Sequence, residues 1–184
     1  MKLRLKTFNY LLYASALSFL LSSCRQRIAT TFQEISSTHS GIHFTNTITE
    51  TDSFNILDVS NIYNGGGVGI GDFNNDGLQD VYFTGNFVPN KLYLNKGNFQ
   101  FQDITSVAGV AGNGNCSRGI AVVDINTDGW LDLYVSATLL PQVSRRVNLL
   151  YVNQGLNNKQ IPVFKEMASE YGLADTGYCT QAAF

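Results

Sequence analysis

From about residue 62 onward, short apolar runs of four or five residues are cut by Gly, Asn and Asp. Val68-Gly69-Ile70-Gly71, Val81-Tyr82-Phe83-Thr84, Lys91-Leu92-Tyr93-Leu94-Asn95 and Phe101-Gln102-Asp103-Ile104-Thr105 are too short for amphipathic helices. They are rich in β-branched and aromatic residues, so each predicts a strand. The series then returns in the same order as Ile120-Ala121-Val122-Val123, Leu133-Tyr134-Val135-Ser136, Leu149-Leu150-Tyr151-Val152-Asn153 and Phe164-Lys165-Glu166-Met167-Ala168.

Residue types recur along with the pattern. Leu-Tyr-x-Asn closes in an Asn-x-Gly turn at both Asn95-Lys96-Gly97 and Asn153-Gln154-Gly155, and the Phe-x-Asp/Glu runs end at Gly109-Val110 and Gly172-Leu173. A third copy, Phe32-Gln33-Glu34-Ile35-Ser36 with Gly41-Ile42, stands upstream and predicts a further strand. A period of roughly 50–60 residues holding four short strands predicts an all-β fold of β-propeller blades, each of about four antiparallel strands. A sandwich or jelly roll would not repeat its residue types in order. The expected divisions are an N-terminal strand segment over 32–61, a first blade over 62–115 and a second over 116–178. Residues 179–184 start a third, because Cys179-Thr180-Gln181 aligns with Cys116-Ser117-Arg118. Two blades cannot close a ring, so the expectation is an incomplete propeller, part of a seven- or eight-bladed one.

Between the first two strands of each blade lies a nine-residue acidic stretch, Asp72-Phe73-Asn74-Asn75-Asp76-Gly77-Leu78-Gln79-Asp80 and, 52 residues later, Asp124-Ile125-Asn126-Thr127-Asp128-Gly129-Trp130-Leu131-Asp132. Side-chain oxygens at positions one, three, five and nine, with Gly at six, can fold around one hard cation. Calcium takes 6–8 oxygen ligands at roughly 2.3–2.6 Å, and the Gly permits the sharp turn. The candidate ligands are Asp72, Asn74, Asp76 and Asp80, then Asp124, Asn126, Asp128 and Asp132. Leu78 and Trp130 could offer only a backbone carbonyl. About one Ca²⁺ per loop is expected.

Rival readings fit less well. An EF-hand needs a Glu at position twelve and flanking helices, whereas here position twelve is Phe83 or Val135 and the flanks are strand-like. The run Gly65-Gly66-Gly67-Val68-Gly69-Ile70-Gly71 lacks the G-x-G-x-x-G spacing, and an acidic loop follows it where a phosphate-capping helix should begin. A metal-free Asn/Asp/Gly turn would explain one copy, but hardly the same four oxygen donors twice.

These residues resemble the FG-GAP or VCBS-type repeats of calcium-loop β-propellers, the blade also found in the integrin α-subunit head. The Leu-Tyr-x-Asn and Phe-x-Asp-Ile-Thr elements look most like bacterial propeller proteins that carry an ASPIC/UnbV-type domain. The resemblance spans roughly residues 30–184 and implies calcium at positions one, three, five and nine of each loop.

At the N-terminus, Lys2, Arg4 and Lys6 precede an apolar run from Phe8 to Leu21, the length of a signal-peptide core and short for a membrane span. It ends at Leu21-Ser22-Ser23-Cys24, which resembles the lipobox of bacterial lipoproteins. The reading is a signal peptide over 1–23, lipidation at Cys24 and a short tether over 24–31, with membrane contact through that anchor. Arg25 in place of Asp favours an outer-membrane over an inner-membrane location in the cell envelope.

Charge narrows the partners. Without residues 1–23 the chain keeps nine basic and 14 acidic residues, and six of those acids sit in the two loops, which favours cation binding over nucleic acid. Arg145-Arg146 reads as a solvated pair, and His39 and His43 as surface or packing residues. Export permits a Cys116–Cys179 disulfide, but equivalent positions on neighbouring blades need not bring their Cα atoms within roughly 4.4–6.8 Å. No catalytic constellation stands out, so a cell-envelope binding or adhesion module for a glycan or protein is favoured. The alternative is a calcium-propeller enzyme, a polysaccharide lyase or hydrolase, whose active site lies mostly outside this chain.

Overall fold

The computed structural model describes residues 31–52, 55–57, 59, 61–112, 114–138, 140 and 146–184. The chain divides into Met1–Glu34, described only at 31–34, and Ile35–Phe184, which carries every described strand. The signal peptide and Cys24 lie outside the described residues. Among the described residues no helix is long and apolar enough to cross a membrane.

Strands β1 (Val68–Gly71), β2 (Asp80–Phe83), β3 (Lys91–Asn95) and β4 (Phe101–Asp103) form one four-stranded sheet in sequence order. A second follows with β5 (Ser117–Val123), β6 (Asp132–Ala137), β7 (Leu149–Leu156) and β8 (Pro162–Glu166). Every neighbouring pair is antiparallel, so each sheet is the four-stranded meander of a propeller blade. The registers set the acidic loops: Gly71 pairs with Asp80 and Val123 with Asp132, so the ninth loop residue is also the first residue of the outgoing strand.

In β1 the glycines take the place of the core side chains. Val68 and Ile70 are 56% and 60% exposed, while Gly69 and Gly71 are buried. A Cβ on Gly69 would lie 2.9 Å from Ile120 Cγ1, and one on Gly67 would lie 2.7 Å from the Arg118 carbonyl oxygen. The glycine run is therefore a seam along which β1 lies against β5, the role left over once a phosphate site is excluded. Gly119 repeats the device one blade on, where a Cβ would meet the Thr180 carbonyl oxygen at 2.5 Å, so residues 179–184 run beside the second blade.

The main core fills the space between the two sheets. Phe73, Tyr82, Leu92, Leu94 and Val110 from the first blade pack with Leu133, Val135, Leu149, Tyr151 and Phe164 from the second. Phe73, the second residue of the first loop, meets Phe164 edge-on at 6.1 Å, which anchors the acidic loop to the neighbouring blade. Each such fully buried apolar side chain contributes about 1.5–3 kcal/mol. Cys116 precedes β5, and Cys116 and Cys179 are free thiols.

The upstream copy departs from expectation, for 32–36 is not a strand, and no strand occurs among the described residues of 32–61. Those residues hold one helical turn, α1 (Ser37–Ser40), capped by Ser36 and closed by Gly41 at φ 72°. The equivalent turn α2 (Thr105–Ala108) follows β4 and is closed by Gly109 at φ 76°. The copy thus keeps the local signal and loses the pairing. β4 is a strand because Tyr93 and Asn95 of β3 pair with Asp103 and Phe101, and no described strand offers residues 32–36 such a partner. Phe32 is 88% exposed.

Candidate metal centres

Both acidic loops fold alike. In the first, Asp72 caps the turn, its Oδ1 accepting from the Asp76 N–H at 3.1 Å and its Oδ2 from Gly77 N–H at 2.8 Å. Asp76 Oδ1 accepts from Leu78 N–H at 2.8 Å, and Asn74 Nδ2 donates to Asp76 Oδ2 at 2.8 Å. The second loop repeats each bond: Asp124 accepts from Asp128 and Gly129, Asp128 accepts from Trp130, and Asn126 donates to Asp128. The conformation is unusual and shared. Gly77 and Gly129 both lie at φ 87°, and position four is left-handed in both loops, at 55° for Asn75 and 59° for Thr127. A β-branched Thr is rarely found there, so the loop holds that shape against local preference.

The ninth residues sit deeper. Asp80 and Asp132 are fully buried, whereas Asp76 and Asp128 are exposed. Asp80 Oδ2 accepts from Phe73 N–H at 3.0 Å and its Oδ1 from Asn95 N–H at 2.8 Å, and Asp132 does the same with Ile125 and Asn153. Burial pushes the Asp80 carboxyl up to about 6, helped by the charges of Asp76 and Asp72 and opposed by the two N–H donors. Asp132 is raised for the same reason. Bare, each loop therefore holds a charged carboxylate where charge is penalised.

The donor set suits a hard cation. Asn74 Oδ1 is buried without a hydrogen-bond partner, an unmet acceptor beside the carboxylates of its loop. Each Asp oxygen named above keeps a lone pair after its one hydrogen bond. Among the described residues no three Asp, Glu, His or Cys side chains are gathered tightly enough to form a metal cluster by themselves. Asp72 and Asp76 cap the loop backbone and Asp80 braces it from behind, so a cation would rely on amide and carbonyl oxygens as well as carboxylates.

The sequence reading of Asn95 and Asn153 as turn residues holds, because each accepts from the Gly N–H two residues on. Their larger role was not anticipated. Asn95 also donates to the Gln79 carbonyl at 2.8 Å, and Asn153 to Leu131 at 3.3 Å, so each ties β3 or β7 to the eighth residue of its acidic loop. The repetition of Leu-Tyr-x-Asn after each loop was the available signal. Tyr82 and Tyr134 form a second repeated tie, donating to the carbonyls of Val110 and Leu173.

Other candidates resolve more simply. His39 Nε2 lies 3.0 Å from the Asn98 carbonyl oxygen, and His43 is held through its backbone by Tyr93. Arg146 is not merely solvated. Half-buried, it donates to the carbonyls of Thr176 and Leu140 and lies 4.6 Å over the Tyr178 ring. Arg145 is outside the described residues.

Residues 72–135 match the profile of the FG-GAP-like repeat. Cartilage acidic protein 1 of Xenopus tropicalis is 38% identical over 74 residues, a stretch covering 40% of this chain and 11% of that protein. The proteins of the same name from Mus musculus and Homo sapiens are 35% and 33% identical over 75 residues. The match thus spans about a tenth of the length of these relatives. The chain carries an FG-GAP-like repeat over residues 72–135.

Proposed function

We propose that this chain is a calcium-stabilised propeller-type binding module, exported and held at the cell envelope through a lipid on Cys24, with a glycan or a protein as its ligand. The observation that supports the metal assignment is the buried, unpartnered Oδ1 of Asn74, at the third ligand position of the first loop; the second loop repeats the Asn-to-Asp bond, although Asn126 Oδ1 there accepts from the Asp128 N–H at 3.1 Å. Asp72, Asn74, Asp76 and Asp80, with the Leu78 carbonyl, would hold one ion. Asp124, Asn126, Asp128 and Asp132, with the Trp130 carbonyl, would hold the other. The ion supplies positive charge to carboxylates that otherwise repel. The chain's own residues supply the frame: Asp80 and Asp132 brace each loop against its β-meander, and Phe73 pins the first loop to the second blade.

Binding only the native state stabilises it by RT ln(1 + [L]/Kd). Extracellular calcium modules bind at about 10⁻⁴–10⁻³ M, so millimolar calcium should raise the melting temperature of the whole protein and chelation should lower it. Magnesium should substitute poorly, since its smaller octahedral shell surrenders water reluctantly. An unchanged melting temperature in calcium would refute the metal assignment.

A further inference from the structure

The strongest unexplained feature lies at the other end of the inner strands from the metal loops. Arg118, the second residue of β5, is only 7% exposed, and among the described residues no carboxylate pairs with it: the ion pairs there are Lys91–Asp103 and Lys165–Glu170. Its guanidinium donates to the carbonyls of Asn61 at 2.6 Å and Gly65 at 3.4 Å, while Nε–H has no hydrogen-bond partner. A buried charge lacking a counter-charge is costly, and two neutral carbonyls offset only part of that cost.

The same residue lines a cavity of about 630 Å³. Asn64, Thr138, Thr180 and Gln181 line it, Tyr178 contributes an exposed ring, and no acidic residue is among its described lining. The Arg146 guanidinium lies 4.6 Å over that ring. The planar, multi-donor guanidinium matches a carboxylate in a two-point hydrogen bond. Hydroxyl and amide groups interleaved with one aromatic face suit a polyhydroxylated ring better than an apolar ligand, and the volume falls within the usual range for small-ligand pockets.

We infer that this cavity binds an acidic sugar, with Arg118 taking its carboxylate and Thr138, Thr180 and Gln181 its hydroxyls. The inference rests on the binding-module reading above and names its ligand class. It also gives the two ends of the blades different work, with cations fixing the loops at one end and the ligand held at the other.

Calorimetric titration of the whole protein with glucuronate and galacturonate, against glucose and galactose, tests it. The uronates should bind and the neutral sugars should bind at least about tenfold more weakly, the scale of one charge-assisted hydrogen bond. Arg118→Gln should abolish uronate binding, and Arg118→Lys, which keeps charge without the fork, should weaken it. If Arg118→Gln does not fold, Tyr178→Ala and Gln181→Ala alter exposed positions and should each lower uronate affinity. The calcium-dependent melting shift is read on the same samples, which separates failure of the metal reading from failure of this one. Equal binding of neutral and acidic sugars, no uronate binding by folded protein, or undiminished binding by folded Arg118→Gln would overturn the assignment.

Discussion

The side-chain amide of Asn153, in the second blade, donates to the carbonyl of Phe73 in the first blade at 3.0 Å. The backbone N–H of Asn153 meanwhile donates to Asp132, the ninth residue of its own acidic loop. Phe73 in turn donates its N–H to Asp80, the ninth residue of the other loop. One asparagine therefore links the two buried carboxylates through a continuous run of hydrogen bonds. Asn75 adds a second link, donating to the Gly129 carbonyl at 3.3 Å.

Asn153→Ala should accordingly destabilise more than Asn95→Ala. Asn153 is buried and would leave the carbonyls of Phe73 and Leu131 without their donor, whereas Asn95 ties only its own loop. Leaving a buried polar group unpaired costs about 1–3 kcal/mol, so chemical denaturation should show a loss of that size for Asn153→Ala and a smaller one for Asn95→Ala. Equal losses would mean that the link between blades contributes nothing.

The glycine seam makes a sharper contrast. An added Cβ at Gly67 would press on the Arg118 backbone carbonyl, while at Gly65 it would meet nothing within 4 Å. Gly67→Ala should cost about 1–3 kcal/mol as overpacking, and Gly65→Ala should be close to neutral. Comparable melting temperatures for the two variants would show that β1 and β5 do not pack as closely as described.

Strands and loops were legible because their signals are local. The short β-branched and aromatic runs and the twice-written oxygen positions predict β1 to β8 and both acidic loops within a few residues. Pairing partners were not legible. Phe32 to Ser36 carries the same residue types as Phe101 to Thr105, yet a strand needs a neighbour and the run does not state one. α2 is a single turn, too short to show a helical period. The glycine run says nothing of packing until Ile120 and Val122 are seen to occupy the space where its side chains would be. Arg118 has no sequence signal at all, because its burial depends on Asn61 and Gly65 from the segment leading into the other blade.

The buried ninth residue sets a pH dependence. In calcium-free protein the Asp80 carboxyl stands at about 6 against an ordinary 3.8, because of burial. The folded state then holds the proton more tightly than the unfolded one. The penalty for burying the charged form is absent below about pH 4 and builds as pH rises to about 6. In calcium-stripped buffer, stability should therefore fall across that window from this group, and calcium or Asp80→Asn should flatten the fall. Denaturation midpoints at the two ends of the window, with and without calcium, decide it; the same slope in all three samples would contradict the account.

The anchor has its own test. Cys24→Ala should leave an unprocessed precursor that no longer incorporates labelled fatty acid, and unchanged labelling would rule out lipidation at Cys24.

Counting bound calcium tests the central claim most directly. Equilibrium dialysis of the wild-type protein against millimolar calcium gives the reference number of ions. Asp76→Ala should lose one of them and Asp128→Ala another, the double variant should lose both, and Asn75→Ala, outside the ligand positions, should lose none. If either Asp variant retains the full number, or the wild type binds no calcium, the loops are ordinary Asn/Asp/Gly turns and the metal account is wrong.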